Sequence, residues 1–526
     1  MTETTDAVRD ALDPETREAF EARVESEAES LRAAVRDGSY DTATFAVGLE
    51  LEGYVIDADG ALAPAPEHVF DIDGCSRELG LHNAELHTAP DVVSDAGFRR
   101  QFDELRTTLR DVRTALEGDG RDFVLDAMWT VGPAVGTREY LDAGEEDDGV
   151  FRASNMRPVP RYVALDQAIR EANDGTIELG LPGLEEATSM LVESLATSMQ
   201  PHLQIPDPDD VPEYLNVATR TMGPLLSLSA NSPFLPADCY EGDLGADPDV
   251  VDRTPHELRI PIFERSVDDG AEKCRVPRDV ETIGELIDRI ATDPTLVAAP
   301  DAMRAVGTGG DAEDAGADAE ADADADPYPA FSAKRGTYWR WVRPVFGGDL
   351  PRGPDGEVDP DGTRTSVRIE YRPLPTQPTL RDTVGLQALV AGVLRGVDVT
   401  DHPLASLSWE DARTSFYAAV EDGPDADLRW VDRDGEATTA TPRIYDELFS
   451  LARRGLDDLG VGAEAIEWAL SPIEARREAT YTSPSAWKRA RVREARTDGA
   501  DLPEAIRVMQ SAYVDHAAGG VPFAEW

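Results

Sequence analysis

The chain has 526 residues, and its 50 Lys and Arg against 104 Asp and Glu give a formal net charge of −54 at pH 7. A hydrophobic content of 41% permits a packed core, but this charge disfavours binding to nucleic acid or to an anionic membrane, which requires basic clusters. Only Lys273, Lys334 and Lys488 are lysines, so the composition predicts adaptation to a salt-filled cytoplasm, although a GC-rich gene also favours arginine.

Helices and extended segments alternate through the first 300 residues. Helical periodicity predicts helices at 13–36, 94–116, 161–173, 209–226 and 280–297. Alternating apolar and polar residues, or short apolar runs, predict extended segments at 44–57, 81–88, 122–129, 197–205 and 257–266. Such a mixture of elements is typical of an α+β fold.

An acidic segment at 301–327 interrupts this pattern. It contains nine Asp and Glu, one Arg and no aromatic residue, which predicts a disordered insertion in a loop. Strand candidates follow at 331–346 and 364–372, and the later helices are predicted at 380–396, 409–421, 443–459, 463–479 and 503–517. We expect an N-terminal helix (1–40), a main domain (41–396) carrying the insertion, and a helical C-terminal region (397–526) packed on it.

The cysteines and the first residues predict a cytoplasmic protein. Cys75, Cys239 and Cys274 are odd in number and form no C-x-x-C pair, which disfavours a disulfide framework or a structural zinc site. The opening MTETTDAVRD lacks the basic and apolar regions of a signal peptide, and no run of 18 apolar residues occurs. We therefore expect cytoplasmic localisation without a membrane partner.

Four predicted strands carry polar residues two positions apart, which places them on one face of each strand. These residues are Glu50 and Glu52; Asn83, Glu85 and His87; Gln200, His202 and Gln204; and Arg368, Glu370 and Arg372. Adjacent carboxylates repel each other unless a cation lies between them, and Mg²⁺ prefers oxygen ligands. A carboxylate between two guanidiniums suits the binding of phosphate or carboxylate groups. The alternative for each pattern is a solvated strand face.

Common nucleotide and hydrolase motifs are missing from the chain. No glycine-rich Walker sequence precedes any lysine, and no G-x-S-x-G sequence occurs. His256-Glu257 begins like the zinc motif H-E-x-x-H, but Ile260 occupies the last position. Local motifs therefore support neither a P-loop nucleotidase nor a serine or zinc hydrolase.

Five short motifs, in order, resemble those of the glutamate–cysteine ligase family, in its plant and actinobacterial branch and its carboxylate–amine ligase branch. They are Gly48–Glu52, Glu85–Pro90, Gln200–His202, the Ala-Asn-Ser-Pro-Phe stretch at Ala230–Phe234, and Glu370–Arg372. Arg161-Tyr162 resembles a family Arg-Tyr pair as well. The likeness covers about residues 40–485, and departs from the family at His202, where Asn is frequent.

This resemblance implies a glutamine-synthetase-like fold, with a curved antiparallel sheet, helices on its outer face and a helical C-terminal region. It implies Glu50, Glu52, Glu85 and Glu370 as metal ligands. Residues that would act in catalysis are Glu50, Glu85, Glu370 and Arg372, and those that would bind ATP or substrate are Asn83, Arg161, Tyr162, Gln200, His202, Arg259 and Arg368.

The activity implied by the resemblance is ATP-dependent joining of glutamate to an amine, with two or three Mg²⁺ ions. Cysteine is the default amine, which would make the product γ-glutamylcysteine, a precursor of glutathione. Another acceptor amine remains open, as does a catalytically silent relative that binds nucleotide or an amino acid. A third alternative is a structural protein that uses the 301–327 segment for interaction.

Overall fold

The computed structural model describes residues 2–267, 270, 272–304, 326–358 and 365–526. The strands are β1 (Ala46–Asp57), β2 (Cys75–Arg77), β3 (Asn83–His87), β4 (Asp91–Val92), β5 (Arg121–Val124), β6 (Gly144–Asp147), β7 (Val150–Ala153), β8 (Ile177–Leu181), β9 (Leu184–Ala187), β10 (Met199–Ile205), β11 (Val342–Phe346), β12 (Val367–Tyr371), β13 (Trp430–Val431) and β14 (Ala437–Thr438). Most of the predicted insertion, 305–325, lies outside the described residues, so the prediction for it stays a prediction.

The helices precede, connect and follow these strands. They are α1 (Thr2–Leu12), α2 (Pro14–Arg36), α3 (Asp95–Glu117), α4 (Thr137–Asp142), α5 (Pro160–Ala172), α6 (Val211–Ser229), α7 (Asp243–Ala246), α8 (Val250–Arg253), α9 (Arg259–Ser266), α10 (Ile283–Ala291), α11 (Pro300–Arg304), α12 (Pro329–Arg335), α13 (Leu380–Val399), α14 (Trp409–Asp422), α15 (Thr441–Asp458), α16 (Ala463–Glu474), α17 (Pro484–Thr497) and α18 (Leu502–Ala518). The N-terminal segment thus contains two helices rather than the one predicted.

One antiparallel sheet dominates the fold. Its strands follow the order β11-β12-β10-β1-β3-β2, while β4 and β5 pair with the two ends of β1. Alternation gives the sheet one apolar and one polar face, because neighbouring residues of a strand point to opposite sides. On β1, Leu49 and Leu51 are buried in the core, whereas Glu50 and Glu52 point to the other side.

Helices α3, α6 and α13 pack against the strands of this sheet. The hydroxyl groups of Thr221 on α6 and Tyr371 on β12 lie 3.2 Å apart, so α6 covers the apolar face. Helices α15 and α16 then pack on α13. The last two helices reach the sheet through a buried carboxylate, Asp126, which accepts hydrogen bonds from Lys488 Nζ at 2.5 Å and Gln510 Nε2 at 2.9 Å.

Two predicted extended segments are wrong in part. Residues 257–266 contain helix α9. Pro261 is compatible with this helix because it lies in the first turn, where proline is tolerated. Residues 331–346 begin within helix α12, which has Pro329 at its first position and ends at Arg335, with Gly336 as its C-cap, before β11 starts. In both helices, charged side chains are buried beside apolar ones, which obscures the helical spacing in the sequence.

The α+β class with a large antiparallel sheet is confirmed, while the proposed domain boundaries stay a prediction. None of the described helices is both long and apolar enough to span a bilayer. All three lysines of the chain are buried, with Lys273, Lys334 and Lys488 at most 2% exposed. The basic residues on the described surface are therefore arginines and histidines.

Candidate active site

The polar face of the main sheet gathers most of the predicted site residues. They are Glu50 and Glu52 on β1, Asn83 and Glu85 on β3, Gln200 and His202 on β10, Arg368 and Glu370 on β12, and Arg372 directly after β12. The register sets Glu50 opposite Gln200, Glu52 opposite Glu85, and His202 opposite Glu370. Alternation within each strand, together with this register, puts these side chains on one surface.

Three carboxylates on this surface are close enough to share a cation. Glu52, Glu78 and Glu85 each offer one oxygen, and the three oxygens lie within 4.8 Å of one another. Among the residues that the structure describes, this is the one cluster of acidic, His or Cys side chains with such spacing. Hard cations such as Mg²⁺ prefer carboxylate oxygens, so the donor set fits the predicted metal.

Glu52 is held in place by neighbours that donate to its carboxylate. The Ser198 N–H lies at 2.7 Å, the Ser198 hydroxyl at 2.9 Å and Gln200 Nε2 at 3.0 Å. Burial nevertheless raises the pKa of Glu52, against the opposing effects of Ser198, Arg259 and Arg372. A cation bound here would offset the desolvation of this carboxylate.

Glu50 faces a histidine rather than the other three carboxylates. Arg368 Nε donates to His202 Nδ1 at 2.9 Å. Since a guanidinium only donates, Nδ1 accepts and the ring carries its proton on Nε2. That Nε2 lies 3.0 Å from Glu50 Oε1. The role of Glu50 as a metal ligand stays a prediction.

Glu370 is surrounded by arginines. Arg343 Nε donates to its Oε2 at 2.8 Å, Arg372 Nη1 contacts its Oε1, and Arg335 Nη1 lies 3.8 Å from Oε2. Burial acts to raise its pKa, but Arg343 and Arg372 outweigh burial and hold that pKa well below its usual range. Arg372 also donates to Gln200 Oε1 at 2.8 Å. Glu370 therefore anchors guanidiniums, and its predicted role as a metal ligand is untested.

Arg259 joins this group from the start of α9. Its Nη2 donates to the Arg372 carbonyl at 3.1 Å, and its guanidinium lies 5.2 Å from the centre of the Trp341 ring. Its Nε lies 3.6 Å from Glu257 Oε1. Burial lowers the pKa of Arg259, although Glu257 and Glu52 act in the opposite direction.

The three remaining predicted residues lie at the margin of this surface or away from it. Asn83 Nδ2 donates to the Ser194 carbonyl at 3.1 Å, while its buried Oδ1 has no hydrogen-bond partner within the part of the chain that the structure describes. Arg161 Nη2 donates to the Ala333 carbonyl of α12 at 2.8 Å. Tyr162 is half-buried and packs against the hydrophobic core. Substrate-binding roles for all three stay predictions.

Several residues at the site are absent from the predicted set. Glu78 follows a strand of only three residues, so no alternating pattern points to it. Arg335 lies in the helix that was predicted as a strand. Arg343 had a usable signal, since it is polar within the apolar stretch 342–346 directly before the Arg368–Arg372 strand. Glu257 belongs to the incomplete zinc motif that begins at His256, and this pattern does not point to a ligase site.

Residues 46–502 match the family model described as glutamate–cysteine ligase family 2. The chain belongs to this family. It is therefore a ligase-like enzyme of the carboxylate–amine ligase kind, and the resemblance inferred from its motifs is confirmed. The match begins at the first residue of β1 and ends at the first residue of α18, so it includes every strand of the polar face.

Two solved structures are similar to this member of glutamate–cysteine ligase family 2. A glutamate–cysteine ligase from Francisella tularensis, in complex with AMP, aligns with a TM-score of 0.49 and 14% identity over 92% of this chain and 94% of that one. A bifunctional glutathione synthetase from Pasteurella multocida aligns with a TM-score of 0.49 and 13% identity over 90% of this chain and 52% of that one. A search of curated proteins gives no significant match.

Proposed function

We propose that this protein is an ATP-dependent ligase that joins the γ-carboxyl group of glutamate to an amine, with cysteine as the first candidate. The observation that carries the proposal is the polar sheet face. It combines the carboxylate cluster of Glu52, Glu78 and Glu85 with the arginine cluster around Glu370, in a chain whose family match covers residues 46–502.

The reaction takes place in two steps. A γ-carboxylate oxygen of glutamate attacks the γ-phosphorus of ATP, which gives γ-glutamyl phosphate and ADP. The amine nitrogen then attacks the acyl carbon, phosphate leaves with the electron pair of the C–O bond, and the nitrogen loses a proton. The protein must therefore neutralise phosphate charge and hold three substrates in line.

Because the chain has no Walker lysine, arginine side chains neutralise the phosphate charge. Arg372 is the strongest candidate to contact the transferred phosphoryl group, because it is fixed by Glu370 and Gln200 but remains 12% exposed. Arg343 is 2% exposed and supports Arg372 from the far side of Glu370. Fixed donors of this kind stabilise developing charge without reorganising.

Mg²⁺ would be held by Glu52, Glu78 and Glu85, with Glu50 as a further predicted ligand. When bound, it supplies Lewis-acid stabilisation of phosphate oxygens. Ser198 and Gln200 orient Glu52 by their hydrogen bonds, and Ser76 donates to Glu85 at 3.3 Å. These contacts fix the direction of the Glu52 and Glu85 carboxylates before any ligand binds.

A cytoplasm rich in salt is proposed as the setting of this enzyme. Support comes from the net charge of −54 and from the burial of every lysine, because the hydrated lysine ammonium is then absent from the surface. At about 1 M salt the Debye length is about 3 Å, so repulsion between surface carboxylates is largely screened.

An ADP-release screen tests the function. The protein is assayed with glutamate, Mg²⁺ and ATP against a panel of amines in about 1 M KCl. We expect release that needs glutamate and one amine, and loss of turnover in Glu50→Gln and Glu370→Gln. Glu186→Gln, on the exposed side of hairpin strand β9, is the matched control and should retain activity. Calorimetric ATP binding without turnover would instead identify a silent relative.

A further inference from the structure

Glu257 is a fully buried carboxylate with no part in the proposed chemistry. It accepts a hydrogen bond from the Asn231 N–H at 2.8 Å and one from the Ser232 hydroxyl at 2.7 Å. The Ser232 oxygen in turn accepts from the Arg259 N–H at 3.1 Å. Glu257 is thus bonded to the Ala-Asn-Ser-Pro-Phe loop and faces the first residue of α9.

The loop on which Glu257 depends is itself fixed from the C-terminal region. Lys488 Nζ donates to the Asn231 carbonyl at 2.8 Å, and Asn231 Nδ2 donates to Tyr513 Oη at 3.0 Å. The Ser485 N–H donates to the Ala230 carbonyl at 2.8 Å. With its backbone held on both sides, this loop is a rigid base for the Glu257 carboxylate.

The Arg259 guanidinium lies between Glu257 and the polar face. Its Nη2 donates to the Arg372 carbonyl, while its buried Nε finds no hydrogen-bond partner among the described residues and lies 3.6 Å from Glu257 Oε1. A long arginine side chain loses much rotamer freedom on being ordered, so a buried opposite charge is needed to hold one orientation. Glu257 is the buried carboxylate with which Arg259 forms an ion pair.

We propose that Glu257, itself fixed by Asn231 and Ser232, is a positioning residue whose charge holds the Arg259 guanidinium against the Arg372 carbonyl for binding of the carboxylate substrate. This role rests on the proposed function, since Arg259 itself is the group that would contact glutamate. In this proposal the Ala230–Phe234 loop supports Arg259 through Glu257 and does not itself contact the substrate.

The variant Glu257→Gln removes the charge and keeps one acceptor for the Asn231 N–H, while its amide NH2 would donate to the Ser232 oxygen in place of accepting from it. We expect the KM for glutamate to rise about tenfold, because roughly one charge-assisted contact is lost. The value of kcat should change by less than about threefold. Glu257→Asp, which keeps the charge, should recover part of the loss. A rise in the KM for ATP alone, or no rise, overturns the proposal.

Asp166→Asn is the matched control. Asp166 is also a buried carboxylate that accepts from one hydroxyl, Ser189, and one backbone N–H, Met190. If its loss changes the KM for glutamate as much as Glu257→Gln does, the effect is general destabilisation and the positioning role is refuted. If Glu257→Gln fails to fold, Ser232→Ala takes its place, since it removes one hydroxyl from the same chain of contacts.

A crystal structure of Glu257→Gln separates this proposal from the proposed function. If the wild type shows no turnover with any amine, the ligase function fails, yet the position of Arg259 can still be compared. Displacement of Arg259 Nη2 from the Arg372 carbonyl supports the positioning role. An unmoved Arg259 refutes it, whatever the activity.

Discussion

Breaking the buried ion pair between Lys488 and Asp126 from one side should be among the most destabilising single substitutions in this fold. Both side chains are at most 1% exposed, and their charged atoms are 2.5 Å apart. Burial lowers the pKa of Lys488 and raises that of Asp126, while each partner opposes the shift of the other. Removal of one partner therefore leaves an uncompensated charge in the core.

We expect Lys488→Met to lower the free energy of unfolding by about 3–5 kcal/mol, the usual effect of breaking a buried pair from one side. Asp126 would keep its hydrogen bonds from Gln510 and from the Ala127 N–H, so the lower part of this range applies. Since a domain is commonly stable by about 5–15 kcal/mol, the loss is large enough to measure.

Urea unfolding at constant KCl, followed by circular dichroism, measures this quantity. The double variant Lys488→Met with Asp126→Leu should lose at least about 2 kcal/mol less than the sum of the single variants, because no unpaired charge remains. The control is Arg454→Met, which breaks an exposed pair with Asp457 at 3.3 Å and should change stability by about 0.5 kcal/mol or less. If Lys488→Met falls within 1 kcal/mol of the wild type, the reasoning is refuted.

Three further predictions concern pH, metal and salt. Burial lowers the pKa of His82 to about 4, below its value of about 6.5 in the unfolded chain. The unfolded chain therefore binds this proton first, so the free energy of unfolding is unaffected above about pH 6.5 and falls by about 3 kcal/mol as the pH drops toward 4. His82→Gln should flatten this part of the stability–pH curve. Glu78→Gln should raise the Mg²⁺ concentration for half-maximal turnover about tenfold, as for roughly one lost charged ligand, whereas exposed Asp73→Asn should not. The urea midpoint should rise between about 0.1 M and 1 M KCl as the Debye length falls from about 10 Å to about 3 Å, and a flat dependence would contradict salt adaptation.

Strand alternation was the sequence signal that led to the site. Side chains two apart share a strand face. Glu50 and Glu52 could therefore be assigned to one face of their strand, and His202 and Gln204 to one face of theirs, before the strand order was known. The order of the motifs then indicated the family. In physical terms, this part of the molecule is predictable because its pattern is set by local geometry.

Contacts between distant segments were not predictable in the same way. Arg335 and Arg343 reach Glu370 from a helix and a strand that meet only in the folded chain. Glu78 joins Glu52 and Glu85 through strand pairing of β2. Helix α9 was missed because six of its eight residues are buried, including the charged Arg259 and Glu264, so its apolar residues do not recur with helical spacing.

Burial of all three lysines has a practical consequence for chemistry at the surface. Reagents that acylate primary amines find no side-chain amine on the folded exterior, because Lys273, Lys334 and Lys488 are enclosed by the core. Acylation of a lysine side chain therefore requires the fold to open. The extent of labelling at these three positions would report local opening of the segments that contain them, with no introduced probe.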